Sequence, residues 1–259
     1  MFLTILLLKN NYLDMIITDS SKMAEVIHEH TQLLPIIHRF GIRLGFGEKT
    51  VGQVCENYGV DVNFFLETAN LFCIDQYSPS KKLTGYDVGV VIAYLLKSHA
   101  YFYEEKFPSI REKIQLLAQF PGGAAHVGLI EKFFSNYMAE FMDHIQFEDS
   151  VVFPYSLMVA DCYAKGRISS ELTLRMKNYS MSLFNQQHED IEEKLSDLRN
   201  ILIKYLPPID DGKVVTSILL ELAAMEKELE DHTVIEERIL VPKVLAMEQL
   251  LLRPGGDVV

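Results

Sequence analysis

From Thr84 onward, apolar side chains recur every three to four positions through four long segments: Tyr86 to about Phe120, Ala124 to about Ala164, Ser169 to Leu206 and Val214 to about Leu251. That period is the one a helix needs to bury a single face. The segments are separated by Pro121-Gly-Gly123, Lys165-Gly-Arg167 and Pro207-Pro-Ile-Asp-Asp-Gly212. Short loops between long helices make consecutive helices antiparallel neighbours, so residues 84–252 read as an up-down-up-down four-helix bundle. Pro108 and Pro154 fall inside the first two segments and predict bends there, because proline cannot donate to the helical ladder and its ring crowds the carbonyl four residues back. Thr84, Ser169 and Ser170 stand where N-caps belong, and Glu171 adds a negative charge that the helix dipole favours in the first turn of the third segment.

Before Thr84 the pattern breaks into shorter pieces. Ser20 or Ser21 is placed to cap a helix carrying Met23, Val26 and Ile27, and a second short helix from Leu33 to Phe40 stops at Gly41. Gly41-Ile-Arg-Leu-Gly-Phe-Gly47 lacks both the preceding strand and the Gly-Lys-Ser/Thr ending of a phosphate loop, so it reads as a tight turn that needs glycine. Two more helices follow, Thr50 to Tyr58 and Asp61 to Phe72, with Thr50 and Asp61 as their caps. The chain is thus predicted to be all-α, with a small helical N-terminal domain at 17–73, a linker at 74–83 where Tyr77-Ser-Pro-Ser-Lys-Lys82 breaks the period, and the bundle at 84–252.

Composition narrows the function. The chain has 259 residues, 49% of them apolar, which is enough for a large core. A net charge of -12 supplies no Lys/Arg surplus to neutralise phosphates, which argues against a general nucleic-acid binder. Cys55, Cys73 and Cys162 are widely spaced and odd in number, so they form no disulfide framework and fit a reducing compartment. Met1 to Leu8 is apolar but too short for a span, with neither a basic leader nor a small-residue cleavage site. A cytoplasmic protein with no membrane segment is expected. The tail from Arg253 reads as frayed.

Candidate chemistry sits at mid-helix. In His144-Ile-Gln-Phe-Glu148 and in His232-Thr-Val-Ile-Glu236 a histidine and a glutamate stand four apart, so each pair points from one helix face. An imidazole beside a carboxylate is a normal ligand pair for iron, manganese or zinc. One pair means little, since a single histidine on an apolar face is more often a satisfied core group than a ligand. Depth adds to it. His99 and His144 lie 22 and 23 residues either side of a loop centred near 121, His144 and His188 each lie 22 from one near 166, and His188 and His232 lie 21 and 23 from one near 209. A mismatch of one or two residues is about 3 Å, so antiparallel helices hold all four histidines at nearly one height. The set His99, His144, Glu148, His188, His232 and Glu236 suffices for two metal ions bridged by the carboxylates, with positions open to solvent or a small molecule. Iron suits this nitrogen and oxygen mixture, and zinc or manganese also fit it. Glu192, four after His188, is a further ligand or a hydrogen-bond acceptor behind one, or part of a solvated acidic face. Tyr103, four after His99, reads first as aromatic packing, with a hydrogen bond to the site as the alternative. His126 is 18 residues from His144, about 27 Å along one helix, and stands outside the set. His28, His30 and His38 read as capping, packing or surface groups.

Four stretches carry a resemblance: Ser98-His-Ala-Tyr-Phe102 leading to Phe107-Pro108, His144-Ile-Gln-Phe-Glu148 leading to Val-Phe-Pro154, His188-Glu-Asp190, and His232-Thr-Val-Ile-Glu236 leading to Val-Pro242. In these, Thr84 to Leu250 resembles the hemerythrin-like domain of the di-iron proteins that repair iron-sulfur clusters. Phe40 to Gly47 and Thr50-Val-Gly-Gln-Val-Cys55 resemble the same family's short N-terminal domain. The resemblance implies histidine ligands at His99, His144, His188 and His232, bridging carboxylates at Glu148 and Glu236, and two iron ions joined by an oxo or hydroxo bridge. It implies a role in protecting or repairing clusters damaged by nitric oxide or oxidants, by redox chemistry or iron donation. Damaged iron-sulfur proteins or a redox partner, small ligands such as nitric oxide or oxygen, and a second copy of the chain are the partners to expect. Two departures stand out. The family has adjacent cysteines in the glycine turn where this chain has Gly45 and Phe46, which removes any role that needs paired thiols. The His99 to Pro108 spacing differs from that of some relatives, so coordination by His99 calls for a rotated or bulged helix. A di-iron sensor or carrier of oxygen or nitric oxide is the alternative, and a metal-free helical adaptor is a third reading.

Overall fold

The computed structural model describes residues 16–75, 77–79, 85–120, 123–177, 179–181, 189–206 and 212–252. The apolar leader, residues 80–82 of the expected Tyr77 to Lys82 break, the Thr84 cap, His188 and the tail from Arg253 lie outside the described residues. Among those described, every regular element is helical and none is a strand; an isolated antiparallel bridge joins Lys22 to Thr50. No helix among them is long and apolar enough to cross a membrane. The chain divides into two compact units, the first ending at Tyr94 and the second beginning at Leu95.

The first unit holds α1 (Met23–Glu29), a 3-10 turn (Thr31–Leu33), α2 (Leu34–Arg39), α3 (Val51–Tyr58) and α4 (Val62–Cys73). The expected serine cap of α1 is not made. Lys22 occupies the N-cap position without a side-chain cap bond, and the Ser21 hydroxyl accepts instead from the Thr18 N–H at 3.0 Å. The other two caps form as expected. Thr50 and Gln53 make a reciprocal capping box on α3, and Asp61 Oδ1 accepts from the Asn63 and Phe64 N–H groups at 2.9 and 3.0 Å. The glycine turn is present, with Gly41 at φ 77 and Gly45 at φ 103, backbone angles that a Cβ would strain. Phe40 lies 5.5, 5.3 and 4.8 Å ring to ring from Phe64, Phe65 and Tyr94, which explains why this unit reaches as far as Tyr94.

α5 (Val88–Tyr101) runs across the division, and Asp87 Oδ1 accepts from its Gly89 N–H at 2.6 Å. The second unit continues with α6 (Phe107–Leu116), α7 (Ala124–Phe147), α8 (Phe153–Ala164), α9 (Ser170–Met176), α10 (Glu189–Tyr205), α11 (Gly212–Ile235) and α12 (Val241–Leu251). α6 packs on α7, α7 on α10, α10 on α11 and α11 back on α6, while α8 packs on α12. These faces bury Phe107, Phe134, Phe141, Leu198, Leu222 and Met225. Ion pairs run along the seams: Glu221 of α11 takes Lys106 at 3.2 Å and Lys113 at 2.5 Å, and Arg199 of α10 pairs with Glu226 of α11.

The third predicted segment is not one helix. Ser169 caps α9 through the Leu172 N–H at 3.0 Å, but α9 ends at Met176 and Tyr179 and Ser180 are not helical. Beyond the break the Met181 N–H donates to the buried Glu248 carboxylate of α12 at 3.3 Å. The count that placed His188 from the loop near 166 assumed an unbroken helix from Ser169, and that assumption fails; the count from the loop near 209 runs along α10 and does not depend on it.

Candidate metal centre

Three π-turns shape the region around the histidines: Phe102–Lys106, Glu148–Val152 and Glu236–Leu240. Each closes with a backbone bond spanning five residues, from the Phe107 N–H to Phe102 O, from Phe153 to Glu148 and from Val241 to Glu236. In each case the next residue is proline: Pro108, Pro154 and Pro242. A proline there cannot make the ordinary bond four residues back, and the wider turn takes up the extra residue without ending the helix. Two of the turns start at the glutamates of the His-x-x-x-Glu pairs. The third supplies the bulge after His99 that its spacing to Pro108 called for.

Three of the predicted residues converge. His99, Glu148 and His232 each offer a ligating atom within 4.8 Å of the other two, and they are 1, 0 and 4% exposed. His99 Nε2 stands 3.1 Å from Glu148 Oε2 and 3.3 Å from His232 Nε2; His232 Nε2 is 3.8 Å from the same Glu148 oxygen and 3.4 Å from Glu236 Oε2. The other Glu148 oxygen faces His144 Nε2 at 2.8 Å. Glu148 therefore turns one oxygen to His144 and the other to His99 and His232. His144 and Glu236 join the cluster through Glu148 and His232. His188 and the Glu192 side chain lie outside the described residues. Tyr103 is exposed, and His126 sits in the first turn of the continuous α7, about 27 Å below His144.

Electrostatics explain how such a cluster stays buried. Burial disfavours a charged His232, but Glu236 and Glu148 outweigh it and push the imidazole up to about 9. His99 is likewise raised: burial opposes its charge, and the carboxylates of Asp149 and Glu148 overcome that. The donors suit a metal ion. Two imidazole nitrogens 3.3 Å apart match the edge of a tetrahedral site with metal–nitrogen bonds of about 2.0–2.1 Å, which is about 3.3–3.4 Å. The cluster of His99, Glu148 and His232 can hold a metal ion.

Sequence reasoning missed two groups in contact with His99. Its Nδ1 donates to Asp149 Oδ1 at 2.9 Å, and its ring stacks on Phe153 at 5.5 Å with 16° between the planes. Asp149 is five residues beyond His144, a spacing that does not share a face on a regular helix, so only the π-turn brings it into play. A buried polar group on the α8 and α12 pairing was also missed: Tyr155 donates to Glu248 at 2.5 Å, and Tyr179 stacks edge-on against Tyr155 at 5.0 Å.

The first unit offers no reactive thiol at Cys55. That side chain is fully buried, and burial, with the Asp61 charge adding to it, pushes its thiol up to about 12. No protein-family model matches the chain, and no curated protein matches it in sequence.

Proposed function

We propose that this chain is a cytoplasmic di-iron protein with a hemerythrin-like up-down-up-down four-helix core, which protects or repairs iron-sulfur clusters damaged by nitric oxide or oxidants. One observation carries the metal reading: Glu148, with no solvent exposure, divides its two oxygens between His144 on one side and His99 with His232 on the other. That is the disposition a bridging carboxylate requires. The closed sequence of pairings α6–α7–α10–α11 supports the four-helix core, and the repair role rests on the motif resemblance around the four histidines. Three free cysteines accord with a reducing compartment.

His99, His144, His232, Glu148 and Glu236 would hold the ions, with His188 completing the set by the same resemblance. Two irons at such a site supply one-electron redox change and open positions for a small molecule such as nitric oxide or oxygen. The chain's own part is to exclude water around Glu148 and Glu236 and to keep the imidazoles in place. No separate acid-base residue is needed for electron uptake or for release of iron to a damaged cluster or redox partner.

The test is metal content per chain after purification without oxygen, with the absorption spectrum before and after nitric oxide. Two irons and a spectrum that responds to the gas are the expected result, with iron lost in Glu148→Gln and His232→Ala. Little or no iron, or one tightly held zinc, would overturn the reading. Reversible gas binding without transfer of electrons or iron to a damaged cluster would turn it toward a sensor or carrier.

A further inference from the structure

We infer that Asp149 is a positioning residue that keeps the proton of His99 on Nδ1, so that Nε2 faces Glu148 and His232 as a ligand. The inference rests on the metal reading above and extends it to a residue outside the predicted ligand set. An imidazole ligand has two failures open to it: it can swing away about its side-chain bonds, or it can carry its proton on the nitrogen meant for the metal. The surroundings of His99 block both. Phe153 lies nearly parallel to the ring at 5.5 Å and restricts its swing. Asp149 Oδ1 stands 2.9 Å from Nδ1, and since a carboxylate only accepts, the Nδ1 proton is the donor in that bond. By the same rule Nε2 donates to Glu148 Oε2 at 3.1 Å in the metal-free chain, and it is that proton, not the one held by Asp149, that a bound ion would displace.

The π-turn makes this possible. Glu148 and Asp149 are consecutive, yet Glu148 reaches Nε2 at 3.1 Å while Asp149 reaches Nδ1 at 2.9 Å. One turn of backbone thus grips both nitrogens of a ring carried by another helix. Asp149 differs from Glu148 in solvent access, with its side chain 40% exposed against 0%. It therefore stands at the rim of the cluster as an acceptor for Nδ1, outside the group that would hold the ion.

Full-length wild type, Asp149→Ala and Asp149→Asn decide the matter through two readouts. The first is the His99 Nδ1–H in long-range proton–nitrogen NMR spectra of the metal-free chain: expected as a protected signal in wild type, lost in Asp149→Ala and kept in Asp149→Asn, whose amide oxygen still accepts. The second is the dissociation constant for cobalt(II), followed by its absorption bands. Asp149→Ala is expected to weaken it by about 10- to 100-fold, the usual effect of losing an outer hydrogen-bond partner of a ligand, with Asp149→Asn recovering most of it. Cobalt affinity unchanged in Asp149→Ala, or a wild-type ring with no proton on Nδ1, would overturn the inference. A wild type that takes up no cobalt would sink the metal reading instead, and the Nδ1–H signal would still decide whether Asp149 orients the ring.

Discussion

Glu148 and Glu236 have given up all contact with water, and the imidazoles beside them carry the compensation. His232 shows the consequence for pH. Its folded value of about 9 lies above the ordinary 6.5, so the metal-free folded chain binds this proton more tightly than the unfolded chain does. The stabilisation is fully present below about pH 6.5 and is lost as pH rises through about 9. Urea unfolding of metal-free protein at pH 6 and pH 10 is expected to show a loss of stability that is smaller in His232→Ala by on the order of 2–3 kcal/mol, the remainder coming from groups such as His99 and Cys55. Equal pH dependence in wild type and variant would contradict it. The His-x-x-x-Glu pairs were legible because a spacing of four depends only on local helix geometry. Asp149 was not, because its role comes from a departure from that geometry.

At the level of elements, the three π-turns were half legible. Pro108 and Pro154 predicted bends at two of the three places, and proline chemistry explains why, while the turn before Pro242 was not expected. What periodicity could not tell was that the helix would absorb an extra residue and continue. The packing on both sides sets that count: Phe141 and Ile145 before the second turn, and Phe153, Tyr155 and Val159 after it, are all buried. Pro154→Ala leaves this packing alone and is expected to change stability by less than about 1 kcal/mol. Deleting the exposed Ser150 would rotate α8 by about 100° relative to α7 and pull Phe153 and Tyr155 from their sites, at a cost above about 3 kcal/mol. Chemical denaturation measures both, and a mild deletion would show that the turn is not fixed by packing. The broken third segment was not legible either. Beyond the break the Met181 N–H donates to Glu248, 67 residues away, a contact that no local pattern encodes.

For the molecule as a whole, helix class followed from the helical period that runs through the short and the long segments alike. Tyr94 lies inside α5, and its packing on Phe40 and Phe64 is a tertiary contact that the sequence period leaves unmarked. The depth at which the cluster is buried also bears on kinetics. With Glu148, Glu236 and His99 at 0, 0 and 1% exposure, an ion reaches them when the fold opens rather than by simple collision. Uptake by the folded apo-protein should then level off as metal concentration rises, at a rate matching amide exchange in the helices that carry the ligands, whereas a rate that keeps climbing in proportion would mean an open path. A protein built this way would take a metal ion at a pace set by its own breathing, and once loaded would give the ion up as slowly to a chelator.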